Sequence, residues 1–432
     1  MIVVISDIHL NDGTVCTGTD AGAAELFWEN LRDQVDRAGH RSDGSIKPVD
    51  TVDLILLGDI FDFIRSNRWL AECARPWDPI NAIVPTVSAI CEDIIATNSE
   101  FLAVFKENAQ KPIKVTGGEV TVNVHYMVGN HDWMLWASVP AMHDVRKRIV
   151  EVMGLSKTVG RQFCWTIGEN QYLETQCLKH RTYVQHGDMH DSVNYHAWQG
   201  RGAASLGDAI VIELVTAWPR KALELVAQRS PNHSLSAQTV ERIKEIDNVR
   251  PSSQAAVYAR RVIESLTDPI HRAALSDALK ECTSAITKTE IYRRVLKNNP
   301  TVALQIAALN WLQPFVPTPV MSAITWVADL FDTGYATAAS KEKWVDTNWC
   351  DFVVYGHTHV AEVTGIGAPM LGKQKIYINS ATWRPSHTEI KMGKLESFPY
   401  FHQKNMTWVA IYQGNERKGK THEIWDGSLG LK

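Results

Sequence analysis

Five short polar clusters, each placed directly after an apolar run, constrain this chain more than any other feature. They are Asp7-Ile8-His9 after Ile2–Ser6, Gly58-Asp59-Ile60-Phe61-Asp62 after Leu54–Leu57, and Gly129-Asn130-His131-Asp132 after Val124–Val128. His186-Gly187-Asp188 then follows Tyr183–Gln185, and Gly356-His357-Thr358-His359 follows Phe352–Tyr355. Short unbroken apolar runs read as strands covered on both faces, the signature of an α/β core. Ligand sites in such sheets form at the carboxyl ends of strands, so clusters scattered from Asp7 to His359 can meet on one rim. The glycines suit a backbone that turns sharply beside a packed centre.

The order of elements supports the same class. Ile2–Ile5 and Val52–Leu57 read as strands, Ala23–Ala38 as an amphipathic helix, and Ile80–Asn108 as one long or two shorter helices. Gly117-Gly118 turns into a strand over Val120–Val128. From about Asp191 to Lys343 the pattern becomes helical, over Leu206–Gln228, Ser236–Asn248, Gln254–Ser265, Ile270–Thr283 and Glu290–Leu296. Breaks fall at Pro231, Pro251, Pro269 and Pro300, and Pro219 kinks or divides the first segment. The stretch Leu309–Leu330 is rich in Trp, Phe, Pro and Met. Strands return at Phe352–Tyr355, Lys375–Asn379 and Thr407–Tyr412. The expected organisation is an α/β core over residues 1–191 and 344–432, with a helical insertion, a cap or interaction unit, over 192–343.

Composition narrows the functional classes. With 45% hydrophobic and 21% charged residues, the chain can bury a full core and is neither disordered nor collagen-like. A net charge of −4 advertises no bulk field for nucleic acid or an anionic membrane. Seven cysteines without a CxxC pair suggest reduced thiols and a cytoplasmic setting. No signal peptide is expected, because Met1 leads straight into a strand, and no membrane-spanning run is expected.

The clusters supply His, Asp and Asn without Cys. That inventory suits two divalent ions of borderline hardness, manganese first, with iron, zinc, cobalt or nickel as alternatives. Several imidazoles argue against calcium or a pure magnesium site. One carboxylate can bridge two such ions, and a water between them becomes hydroxide near neutral pH.

Together the blocks DxH, GDxxD, GNHD, a later His and GHxH closely resemble the calcineurin-like metallophosphoesterase family, over about residues 1–190 and 350–385. The resemblance implies a central β-sandwich flanked by helices in a four-layer α/β fold. It implies hydrolysis of a phosphate ester by attack of a metal-bridging hydroxide. The first ion would be held by Asp7, His9, Asp59 and His359. The second would be held by Asp59, Asn130, His186 and His357, with Asp59 as the bridge. His131 would be the general acid or transition-state stabiliser, oriented by Asp132, with Asp62 and Asp188 as supporting carboxylates. The competitors to His186 are His180 and His190.

His186-Gly187-Asp188-Met189-His190-Asp191 and Asn379-Ser380-Ala381-Thr382-Trp383 further resemble segments of the bacterial group related to UDP-2,3-diacylglucosamine hydrolase. That group carries a helical lid for acyl chains, a role open to Leu309–Leu330. His131 stands where that hydrolase usually has Arg, and this insertion is far longer than its lid. Alternatives are therefore a lipid-linked nucleotide diphosphate hydrolase, a metal-dependent DNA or RNA nuclease on the same chemistry, and a non-catalytic scaffold. The insertion is only weakly basic, which disfavours a phosphate-tracking channel. Arg65 and Arg68 are candidates to reach a substrate phosphate, and Trp133 and Trp136 to wall a pocket; solvated arginines and core packing are the bland alternatives.

Overall fold

The computed structural model describes residues 1–16, 18–19, 21–156, 161–250, 255–301, 334–367, 374–389 and 400–428. Leu309–Leu330, the proposed acyl surface, lies outside the described residues.

The architecture is mixed α/β. Its strands are β1 (Ile2–Ile5), β2 (Thr51–Leu57), β3 (Ile113–Val115), β4 (Gly118–Met127), β5 (Thr182–Val184), β6 (Val249–Arg250), β7 (Phe352–Tyr355), β8 (Ala361–Ile366), β9 (Lys375–Ser380), β10 (Pro385–Glu389), β11 (Tyr400–Ile411) and β12 (His422–Ser428). The larger sheet runs β3-β4-β2-β1-β11-β10-β6, with β12 paired to β11, and the smaller runs β5-β7-β9-β8. Both sheets mix parallel and antiparallel pairs, and one is curled into a half-barrel.

Side-chain alternation explains where the core sits. Val3, Ile5, Leu54, Leu56, Val124 and Tyr126 point to one face, where they join Phe27, Leu31, Ile90 and Phe105 of the helices Ala21–Ala38, Ile80–Thr97 and Ser99–Ala109. Their neighbours Ile2, Val4, Ile55, Leu57 and Met127 point to the other face, where they join Val184, Val353, Val354 and Ile378 of the smaller sheet. Strands apolar on both sides are thus covered on both sides.

The long segment expected at Ile80–Asn108 is two helices, broken at Asn98. Among the described residues, helix Ile80–Thr97 is the one long and apolar enough, by length and composition alone, to cross a membrane. It nevertheless buries Ile83, Val87, Ile90 and Ile94, one stripe at helical spacing, in the core cluster. Pro219 acts through the turn before it: Leu206–Ile210 and Ala217–Arg229 are α-helical, while Val211–Thr216 between them is π-helical. Proline supplies no N–H to the preceding turn, and a wider turn is one way to absorb the loss.

The insertion gathers its own apolar cluster, including Trp218, Tyr258, Leu275 and Val295. It is also stitched into the larger sheet, because Val249 and Arg250 pair in parallel with His387 and Thr388 of β10.

Candidate metal centre

Topology brings the five clusters together. Strands β1, β2 and β4 run parallel in one sheet, β5 and β7 run parallel in the other, and a cluster follows the carboxyl end of each. Backbone bonds then lock loop to loop: Asp7 N–H donates to Gly58 O (3.1 Å), His9 N–H to Asp59 O (2.9 Å) and Gly356 N–H to His186 O (2.9 Å). The two sheets meet where His357 N–H donates to Asp7 Oδ2 (2.9 Å).

Local backbone conformation is unusual here. Asp7, His9, Asp59, His357 and His359 all have φ between 52° and 71°, a left-handed region that non-glycine residues rarely occupy. Such conformations cost roughly 1–3 kcal/mol each and persist where the surroundings over-determine them, commonly at functional sites. Gly58, at φ 87°, has no room for a side chain either, since a Cβ would stand 2.6 Å from Gly129 N and 2.7 Å from His186 Nδ1.

All seven expected ligands converge. Asp7, His9 and His359 form one group whose donor atoms lie within 4.8 Å of one another, and Asp59, His186 and His357 form a second. His9 Nε2 lies 3.0 Å from His359 Nε2, and His359 Nε2 lies 3.2 Å from Asp7 Oδ1. Asp59 Oδ2 stands between the groups, 3.7 Å from His9 Nε2 and 3.4 Å from His186 Nε2. Asn130 Oδ1 completes the second group, 3.2 Å from His186 Nε2 and 2.9 Å from His357 Nδ1. His180 and His190 lie elsewhere: His180 bonds the Gln176 carbonyl and His190 bonds the Tyr355 hydroxyl.

Three of the four imidazoles have their outer nitrogen held by an acceptor. His9 Nδ1 faces Asp62 Oδ2 (2.9 Å), His186 Nδ1 faces the Leu57 carbonyl (2.8 Å), and His357 Nε2 faces Asp191 Oδ2 (3.1 Å). Each acceptor keeps the proton on the outer nitrogen and leaves the inner lone pair free for a cation. His359 differs, since its Nδ1 accepts from the Arg250 guanidinium (2.6 Å).

Asp132 requires a correction. It does not orient His131; its carboxylate accepts from Ile60 N–H (3.1 Å), Tyr126 O–H (2.7 Å) and Gly129 N–H (2.5 Å). It therefore clamps the Gly58 loop to the Gly129 loop. Burial, reinforced by the nearby Asp59 charge, pushes its carboxyl up to about 7. His131 Nδ1 instead faces Asp62 Oδ1 (2.9 Å), and its ring meets that of His9 edge-on at 4.9 Å. Asp188 supports the rim through a bidentate pair with Arg201 (2.5 and 2.6 Å).

A buried cationic wall on the first group escaped the sequence reading. Asp247 and Arg250 come from the insertion and Arg384 from the end of the second resemblance segment. Asp247 Oδ2 accepts from Arg65 Nε (2.5 Å) and from Arg384. Arg65 also reaches Asp62 (2.6 Å) and His131 (2.9 Å), which makes it part of the rim. Burial, with Arg384 and Arg65 close by, pushes Arg250 down to about 9. Arg68 turns away to Asp93 and Glu72. Trp133 is buried in the core, and Trp136 donates to Glu169 (2.9 Å). Asp191 had a signal in the sequence, since it closes the His186-Gly187-Asp188-Met189-His190-Asp191 segment. Asp247 and Arg250 had none, because their distance along the chain is unrelated to their place in the fold.

Charges at the centre oppose one another strongly. Burial alone would lower His186, but the Asp59 and Asp7 carboxylates outweigh it and raise the imidazole to about 10. Burial would likewise raise Asp59, yet His186 and His131 hold it below the usual carboxylate range. Asp7 Oδ1 is buried and receives no hydrogen bond. A carboxylate oxygen left in that condition is costly unless a cation occupies the space it faces. Four imidazoles, two carboxylates and one amide oxygen fit divalent ions of borderline hardness.

No protein-family model matches this chain, and no curated protein matches it.

Proposed function

We propose that the protein is a two-metal phosphoesterase of the calcineurin-like metallophosphoesterase type, hydrolysing a phosphate ester. One observation carries the reading: seven oxygen and nitrogen donors from five strand ends meet in two groups, with Asp59 Oδ2 between them. Asp7, His9, Asp59 and His359 would hold one ion, and Asp59, Asn130, His186 and His357 the other, with manganese the first choice. Bound there, the ions supply an acidified water as nucleophile and neutralise charge developing on the phosphoryl group.

The remaining work belongs to the chain. Asp62 aligns His9 and His131 at once, through Oδ2 and Oδ1 (2.9 Å each). An imidazole polarised in this way can hold a proton for a leaving alkoxide, which is the role assigned to His131. Arg65 and Arg250 add fixed positive charge to the first group, suited to an anionic ester. The four-layer arrangement belongs to the same reading; its support is the cluster in which Val4, Ile55 and Met127 of one sheet meet Val353 and Ile378 of the other. We also place the protein in the cytoplasm, a reading supported by seven cysteines that are all unpaired.

A nucleic-acid substrate gains less support. Arg260 pairs with Glu264 (2.6 Å) and Arg294 with Glu290 on their own helices, Arg293 bonds the Lys288 carbonyl at the end of the preceding helix (3.0 Å), and Arg261 lies over the Tyr400 ring, so these arginines of the insertion answer groups of the protein itself.

The test is hydrolysis of p-nitrophenyl phosphate and its bis ester with and without manganese. Manganese-dependent turnover, abolished in Asp59→Asn, is the expected result. Metal-loaded protein inert toward monoester, diester, sugar-nucleotide lipid and DNA alike would refute the reading.

A further inference from the structure

A separate cluster of metal-binding side chains lies away from the rim. His387 of β10 and His402 of β11 sit directly opposite each other in the antiparallel ladder, with their rings 3.8 Å apart. Glu245, which opens the 3-10 turn Glu245–Asn248 of the insertion, brings Oε1 to 3.7 Å from His387 Nε2. One donor atom from each of the three residues lies within 4.8 Å of the other two.

His387 is the telling member. It is 2% exposed, yet neither of its ring nitrogens has a hydrogen-bond partner. A buried imidazole normally satisfies at least one nitrogen, and leaving both bare is unfavourable. With both nitrogens bare in a buried site, the ring has a lone pair that no protein donor uses. Tyr258 of helix Ala255–Glu264 lies parallel to the ring at 7° and 6.5 Å, fixing its plane from the insertion side.

We propose that Glu245, His387 and His402 form a third cation site, for a single divalent transition ion of the zinc class, which staples the helical insertion to the core sheet. Two imidazoles and one carboxylate are a donor set that such ions accept and that magnesium and calcium disfavour. Three protein ligands leave a fourth tetrahedral position for water. An ion with bonds of roughly 2.0–2.2 Å draws its ligand atoms closer than they stand here, a closure that the partly exposed His402 makes by side-chain rotation.

Position explains the benefit. Among the described residues, the insertion's backbone pairs with the larger sheet over just the two residues of β6, and one of these pairs is Val249 with His387 itself. Glu245 lies one turn ahead of that strand. An ion held between Glu245 and the β10–β11 hairpin cross-links insertion to core where backbone pairing is shortest. This assignment stands apart from the proposed phosphoesterase centre, since it shares no ligand with it.

The experiment counts ions. Wild type, His402→Ala, Glu245→Gln and Asp59→Asn are stripped with chelator, dialysed against zinc and analysed for zinc per chain, with the zinc-induced rise in Tm recorded for each. His402→Ala and Glu245→Gln are each expected to hold one ion fewer than wild type, to show a smaller rise in Tm, and to keep manganese-dependent ester hydrolysis. His402→Cys, which restores a ligand, is expected to regain the ion. Asp59→Asn should lose ions from the rim and keep this one, so failure of the two assignments is distinguishable. Equal zinc content in wild type, His402→Ala and Glu245→Gln overturns the proposal.

Discussion

Replacing Asp62 by asparagine probes the centre through a residue that touches no ion. Its carboxylate meets four nitrogens: Oδ1 faces Arg65 N (3.1 Å) and His131 Nδ1 (2.9 Å), while Oδ2 faces His9 Nδ1 (2.9 Å) and Arg65 Nη1 (2.6 Å). An asparagine amide keeps one acceptor and turns the other into an NH₂ donor. Either orientation therefore sets two donors against the NH₂ group. With NH₂ toward His9, the ring answers by moving its proton to Nε2, the atom that faces Asp7 and Asp59. With NH₂ on the other side, His131 loses its alignment. Partners that orient a ligating imidazole are worth roughly 10–100-fold in metal affinity or activity, or about 1.4–2.7 kcal/mol. Asp62→Asn should therefore weaken the first manganese ion by that factor, change the second by less than about threefold, and lower turnover even at saturating metal. Calorimetric manganese titration with steady-state kinetics reads all three quantities. Two ions bound within twofold of wild type, with turnover unchanged, would refute the argument that Asp62 aligns both imidazoles.

Three further outcomes are expected. His131→Gln should keep its metal content and lose roughly 10²–10⁴ in turnover, measured by metal analysis beside kinetics; loss of metal would place His131 among the ligands instead. Arg250→Met removes a donor from His359 Nδ1 and a positive charge from the first group, so manganese should bind there roughly threefold to tenfold more tightly in titration. Acid stability should depend on His180, whose imidazole burial pushes from 6.5 down to about 4 and whose Nε2 has no acceptor. Its contribution is fully present above pH 6.5, because between pH 6.5 and 4 only the unfolded chain takes up the proton. About 3 kcal/mol is therefore lost as pH falls through that window. Urea titrations of His180→Gln should show a pH dependence shallower by about 1.4 kcal/mol per unit there, and an unchanged slope would contradict this.

Much of the fold and most of the candidate centre were legible because both rest on local signals. Ile2–Ile5 and Phe352–Tyr355 read as strands because their apolar runs are unbroken, and the ligands follow those strands directly. Strands β8, β10 and β12 were missed for the opposite reason. Ala361–Ile366 lies at a sheet edge with most side chains exposed, Pro385–Glu389 opens with proline, and His422–Ser428 lacks an apolar core face. The two-residue β6 has no pattern to read and exists only through tertiary pairing.

Assigning Asp132 to His131 failed because neighbours in sequence need not face the same way. Asp132 points back to Gly129 N and Tyr126, while Asp62, distant in sequence, meets the imidazole. The wall of Arg250, Asp247 and Arg384 was invisible for a related reason, since the insertion delivers two of its three residues.

Anomalous diffraction from manganese-loaded crystals addresses the dinuclear centre most directly. Two peaks roughly 3.5–4 Å apart, flanking Asp59 Oδ2 and both absent in Asp59→Asn, are the predicted result. A single peak, or none among Asp7, His9, Asp59, Asn130, His186, His357 and His359, would contradict it.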